Sequence, residues 1–195
     1  LESDAGSIYD EEVLAEGSQQ DLGTVSPSLP DTTAQGSRNY PQEARKLYAE
    51  ALKLVEARKF EASIAALEAL LEAFPEYAPA HNDLAVVHFE TGNQSEALRH
   101  LERASELEPD NFNTLRNLGS VYLAVGRVEN ALTAYERVAQ GEPQDADAWL
   151  MLATTNCQLG RMGDARKNLD RTLEINPDHP AASKLLETIN RRARP

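Results

Sequence analysis

A chain of 195 residues, 41% of them apolar and 6% aromatic, is long enough for one domain of ordinary size with an appendage. Its 32 carboxylates against 19 Lys and Arg leave a net charge of −13, which repels nucleic-acid phosphates and anionic lipid and so excludes DNA, RNA and membrane-surface binding. The longest apolar runs, Val121–Val125 and Trp149–Ala153, are five residues long, against the ~20 that a spanning helix needs. The single cysteine, Cys157, permits no intramolecular disulfide and no cysteine-built zinc site.

The opening stretch, LESDAGSIYD, has neither a basic n-region nor an apolar h-region, so no signal peptide is expected in it. Residues 1–40 carry eight carboxylates against one base, Arg38, among four Gly, six Ser, three Thr and three Gln. So polar and one-signed a segment buries too little apolar surface to offset the entropy of ordering, and 1–40 is expected to be an acidic, disordered tail. Ser7–Leu14 stands apart within it. There Ser7 caps a short helix with Asp10, Glu11 and Glu12 in its first turn, and Ile8, Tyr9, Val13 and Leu14 supply a small anchor. Two readings stand for this patch: a docking motif, or a random cluster in a linker.

From residue 41 the chain repeats. Prolines fall at 75, 109, 143 and 177, glycines at 92, 126 and 160, and alanines at 97, 131 and 165, each set spaced by 34. The period divides the chain into 44–77, 78–111, 112–145 and 146–179, with 180–195 left over. Within the third unit Leu115, Leu118, Gly119 and Tyr122 share one helical face, Gly126 ends that helix, and Val128, Ala131, Leu132 and Tyr135 share the face of a second, which Pro143 stops. Each unit is therefore expected to be an antiparallel helix pair of about 14 and 12 residues. Alone it cannot bury its face, so the units must stack. Small residues at Ala51, Ala85, Gly119 and Ala153, and at Ser63, Ala97, Ala131 and Ala165, let paired helices approach. Leu47, Leu84, Leu118 and Leu152, with Leu101, Tyr135 and Leu169, fill the space between. A first helix over 42–57 is expected to begin near Pro41, a residue type suited to N1. In the first unit Arg58 replaces the turn glycine. Pro180 opens a last helix, with Leu185, Leu186 and Ile189 on one face and Arg191, Arg192 and Arg194 near its end, as a cap to the array.

These residues resemble the tetratricopeptide repeat (TPR) family. The fourth unit carries Trp149, Leu152, Ala153, Gly160, Ala165 and Pro177 in the family's register; the third carries Leu118, Gly119, Tyr122, Gly126, Ala131, Tyr135 and Pro143; the second carries Leu84, Ala85, Gly92, Ala97, Leu101, Ala104 and Pro109. The resemblance covers 44–179 and implies an all-α, right-handed superhelical solenoid of antiparallel helix pairs, closed by the C-terminal capping helix. It also implies a concave surface, lined by the first helix of each unit, that takes a peptide or helical segment of a protein partner. The positions so implied are Tyr48, Leu52, Val55, Asn82, Val86, Phe89, Asn113, Arg116, Asn117, Ser120, Leu123, Leu150, Met151 and Thr154. Tyr48, Leu52, Val55, Val86, Phe89, Leu123, Leu150 and Met151 among them form an apolar stripe, which favours an apolar or amphipathic occupant if it is exposed. The plain alternative is that several pack against neighbouring helices or the tail.

Two subfamilies do not match. The carboxylate clamp of TPR cochaperones needs Lys and Asn on one first helix, Asn on the next, and Lys and Arg on the third. This chain has Tyr48, Leu52, Asp83, Asn113 and Asn117 there, or, one unit on, Asn82, Val86, Asn117, Asp147 and Met151, where only Asn117 matches and the cations are missing. The asparagine ladder of TPR glycosyltransferases meets Ala49, Asp83, Asn117 and Met151. No catalytic, cofactor or metal residue is singled out: no phosphate loop, dinucleotide fingerprint or H-E-x-x-H occurs. His81 and His88, seven apart on one helix face, would need a third ligand to hold a metal, and occupy packing positions equivalent to Trp149 and Tyr122. The expected function is therefore a non-enzymatic interaction scaffold without cofactors or membrane insertion, in a bacterial cytoplasm or periplasm. A substrate-presenting arm of a larger bacterial glycosyltransferase or methyltransferase is the second reading. Homo-oligomeric self-assembly, with residues 7–14 of one chain in the groove of another, is the third.

Overall fold

The computed structural model describes residues 40–192. The tail reading and the docking-motif reading of Ser7–Leu14 lie outside the described residues. All regular structure among the described residues is helical: α1 (Gln42–Glu56), α2 (Phe60–Ala73), α3 (Ala78–Glu90), α4 (Gln94–Leu107), α5 (Phe112–Ala124), α6 (Val128–Gly141), α7 (Ala146–Gln158), α8 (Met162–Ile175) and α9 (Pro180–Arg192). Helices α3, α5 and α7 start 34 residues apart, as do α2, α4, α6 and α8. The second helix of each pair has 14 residues, slightly longer than its spacing suggests. The described residues divide after Gly141 into two compact units. Repeats touch only their neighbours, so packing in such a chain is local and builds no single core.

Residues 40–141 hold three helix pairs. Each tight turn needs a left-handed residue, and Gly92 and Gly126 supply it at φ 84° and 76°. Arg58 takes the same conformation at φ 53°, with its guanidinium 3.5 Å from Glu90 and 5.2 Å over the Phe60 ring. α2 and α4 end two residues short of Pro75 and Pro109. Phe74 (φ −133°, ψ 74°) and Glu108 (φ −129°, ψ 80°), each preceding a proline, leave the helical region, which the pyrrolidine ring disfavours there. Pro41 stands at the N-cap of α1, one place outside N1. Tyr40, counted with the tail on composition, is buried against Tyr77, and its hydroxyl donates to Glu108 Oε1 at 2.8 Å. Leu47 is 40% exposed. It lies three residues out of the repeat register that buries Leu84 and Leu118.

The core of each pair is a small residue facing a large one. Ala51 and Leu67 share one cluster, and Ala85 and Leu101 another. The third pair substitutes Gly119 and Tyr135, whose hydroxyl reaches Ser120 Oγ at 3.1 Å. A Cβ on Gly119 would lie 2.5 Å from the Tyr135 ring. Residues 142–192 repeat the scheme. Ala153, Ala165 and Leu169 pack with Ala182 and Ile189 of α9, and Gly160 turns at φ 71°. Arg171 and Arg137, one period apart, reach the carbonyls of Pro143 and Pro109 respectively.

Gly119→Ala is therefore expected to destabilise the chain by about 1–3 kcal/mol through overpacking. Adding Tyr135→Leu, which recreates the Ala85–Leu101 contact, should restore most of that loss. Urea unfolding of the single and double variants measures it; additive losses would remove the complementarity argument.

Candidate functional site

The first helices α1, α3 and α5 of residues 40–141 are linked by a buried polar chain. The Tyr48 hydroxyl donates to Asp83 Oδ2 at 2.6 Å, Asn82 Nδ2 donates to Asp83 Oδ1 at 3.0 Å, and Asn117 Nδ2 donates to Asn82 Oδ1 at 3.0 Å. Asp83 is 0% exposed. A carboxylate so deep costs several kcal/mol unless donors hold it, and the short Tyr48 bond is in the charge-assisted range. One ladder thus joins three successive repeats. Asp83 stands in the same repeat register as Asn117, 34 residues on.

Half of the apolar stripe, Tyr48, Val55, Val86 and Leu150, is packed away. Tyr48 and Val55 lie in the core cluster with Ala51, Leu67 and Tyr77, and Val86 is 1% exposed beside Ala85, Leu118 and Val121. Leu52, Phe89 and Leu123 are half-buried, as are Asn113 and Arg116. Ser120 is drawn inward by its contacts with Tyr135 and the Arg116 carbonyl. In residues 142–192, Leu150 is buried and Met151 half-buried, while the Thr154 hydroxyl donates to the carbonyls of Leu150 and Met151.

A second cluster lies between α3 and α4. His81 Nδ1 is 2.9 Å from His100 Nδ1, and the His88 and His100 rings stack at 5.8 Å. Burial, with Arg99 close by, holds His100 at about 3. Burial also lowers His81, with Arg103 and Arg99 adding to it, and lowers His88 against the opposing pull of Glu96 and Glu68. All three rings are therefore neutral at neutral pH. Elsewhere burial raises the Tyr135 hydroxyl to about 12 and the Cys157 thiol to about 11, which makes Cys157 inert.

Paired helices at a 34-residue period, joined through their first helices, define a helical-repeat interaction scaffold. One tetratricopeptide repeat profile matches residues 48–112 and a second matches 122–189, together well over half of the sequence. The chain belongs to the tetratricopeptide repeat family. Its fold is similar to that of MamA 41-end from Desulfovibrio magneticus RS-1, at 16% identity and a TM-score of 0.71 over 78% of this chain and 86% of that one. A crystal structure of MamA aligns at 19% identity and a TM-score of 0.71 over 76% and 81%. A tetratricopeptide repeat protein from Parabacteroides merdae ATCC 43184 aligns at 22% identity and 0.70, over 78% of this chain and 62% of that one. No curated protein matches the sequence. At such identities the likeness is one of fold. No helix among the described residues is long and apolar enough to cross a membrane.

Two outcomes are expected. Asp83→Ala removes the acceptor of both Tyr48 and Asn82 and should lower stability by about 2–5 kcal/mol, whereas Asp83→Asn, which keeps an acceptor, should lose less than half of that. Equal losses in urea unfolding would mean that the ladder is not the reason. As pH falls below the ordinary histidine value of 6.5, the unfolded chain takes up protons that the folded histidines refuse. Stability is thus complete above pH 6.5 and is lost progressively toward about pH 3. His100→Gln should flatten the fall in Tm between pH 7 and pH 5, and an unchanged slope would count against this account.

Proposed function

We propose that the chain is a non-catalytic scaffold that takes an amphipathic segment of a protein partner along the α1–α3–α5 face. The observation that carries this reading is the Tyr48–Asp83–Asn82–Asn117 ladder. It locks three first helices into one pre-ordered surface, so little ordering entropy is lost on binding. Leu52, Phe89 and Leu123, half-buried on the same helices, are the apolar ground on which the segment's hydrophobic side chains settle. Asn113, also half-buried, supplies a polar group at its margin. The occupant is less greasy than an open eight-residue stripe would demand, since Tyr48, Val55 and Val86 are committed to the core.

The test uses the full chain and a variant with Leu52→Glu, Phe89→Glu and Leu123→Glu as paired baits in extracts of the source cell. Circular dichroism confirms that both remain helical. A partner held by the first and lost by the second, with at least about tenfold weaker affinity when purified, supports the reading. The same partners on both baits would overturn it.

A further inference from the structure

The last turn of α3 and the middle of α4 place two histidines and a carboxylate together. Ligand atoms of His88, Glu96 and His100 all lie within 4.8 Å of one another. Glu96 and His100 are four residues apart and so share a face of α4. The hydrogen bonds around them set the ring tautomers. Trp149, two repeats after His81, has an indole N–H that can only donate, and it points to the Pro143 carbonyl at 3.2 Å. His81 Nε2 makes the equivalent contact with the Pro75 carbonyl at 3.0 Å, so it carries the proton, and Nδ1 of the neutral ring is an acceptor. His100 Nδ1, 2.9 Å away, must then donate to it. That leaves a lone pair on His100 Nε2.

What occupies that lone pair is a cation. The Arg99 guanidinium donates one N–H to His100 Nε2 at 2.9 Å, and from the same nitrogen another to Glu96 Oε2 at 2.6 Å. Arg99 is exposed, and the Glu96 side chain is 48% exposed, so this end of the cluster opens to solvent. At the other end His88 Nδ1 is buried and has no hydrogen-bond partner. A buried imidazole nitrogen left so is a defect in a packed core but an asset in a ligand set.

We infer that His88, Glu96 and His100 form a three-ligand site for a divalent transition metal of the zinc class. Two imidazoles and a carboxylate suit zinc, whereas magnesium and calcium prefer all-oxygen shells. Tetrahedral zinc with bonds of about 2.0–2.1 Å holds its ligand atoms about 3.3 Å apart. Side-chain rotations of roughly an ångström therefore close the set, as Arg99 swings out to solvent. A water molecule takes the fourth place, on the open side beside Glu96. His81 is the positioning residue behind His100, fixing its tautomer as outer-shell acceptors do. Of the two histidines that stand seven apart on α3, only His88 is a ligand; the partners that complete it come from α4.

The test titrates the untagged full chain with zinc chloride by calorimetry and follows Tm, with cobalt(II) absorption reporting tetrahedral coordination. The expected result is one saturable site, a Tm that rises with zinc and tetrahedral cobalt bands. Glu96→Gln, at an exposed position that keeps the fold, should weaken zinc by about tenfold or more. Arg99→Ala should strengthen it severalfold by removing the competing guanidinium. Absence of saturable binding overturns the proposal. So do equal affinities in wild type and Glu96→Gln, or an equal Tm shift from magnesium, which would be screening of an acidic chain.

Discussion

The closeness of the two helices in each pair is the constraint on which everything else rests. At one height in every pair a residue with little or no side chain meets a large one: Ala51 with Leu67, Ala85 with Leu101, Gly119 with Tyr135, Ala153 with Leu169. Interiors pack to crystal density, so a lost methyl on one side must be matched by a gain on the other. The third pair shows the rule most clearly, because the bulkiest of these partners faces the smallest. The left-handed turns at Gly92, Gly126 and Gly160 bring the second helix back onto the first, and the non-helical residues before the prolines end the second helix.

Within residues 40–141, with the pairs fixed, polar residues of the first helices α1, α3 and α5 meet. Tyr48, Asp83, Asn82 and Asn117 then form a buried chain across three repeats. Such a network is stable only when its members are satisfied, and it favours one relative setting of the helices over its neighbours. That is useful in a scaffold, whose surface must be in place before a partner arrives. The histidine cluster is the counterpart inside a single pair. His81 takes the place of a tryptophan and keeps its hydrogen bond to the proline carbonyl, while the smaller ring leaves room for His100.

How much was legible depended on how local the cause was. Helix pairs, their turns and the last helix could be read from prolines, glycines and alanines at one period, because each acts on its own backbone. The candidate binding face was legible as a set of positions, but its exposure was not. Val86 and Leu123 carry similar side chains on first helices, yet one is packed among Ala85, Leu118 and Val121 and the other is half-buried. Leu47 was misplaced for the opposite reason: its type suits a core, and its register does not.

By itself, the sequence determined an all-α chain of 34-residue helix pairs in the tetratricopeptide repeat family, with a net charge of −13. Periodicity and charge are properties of a string, and no contact is needed to read them. Only the tertiary structure decided that Asp83 is the centre of a ladder, and that His88 meets Glu96 and His100. Those encounters depend on distances of a few ångströms between helices. A repeat period specifies which residues stand at one height; the packing of side chains decides which of them touch.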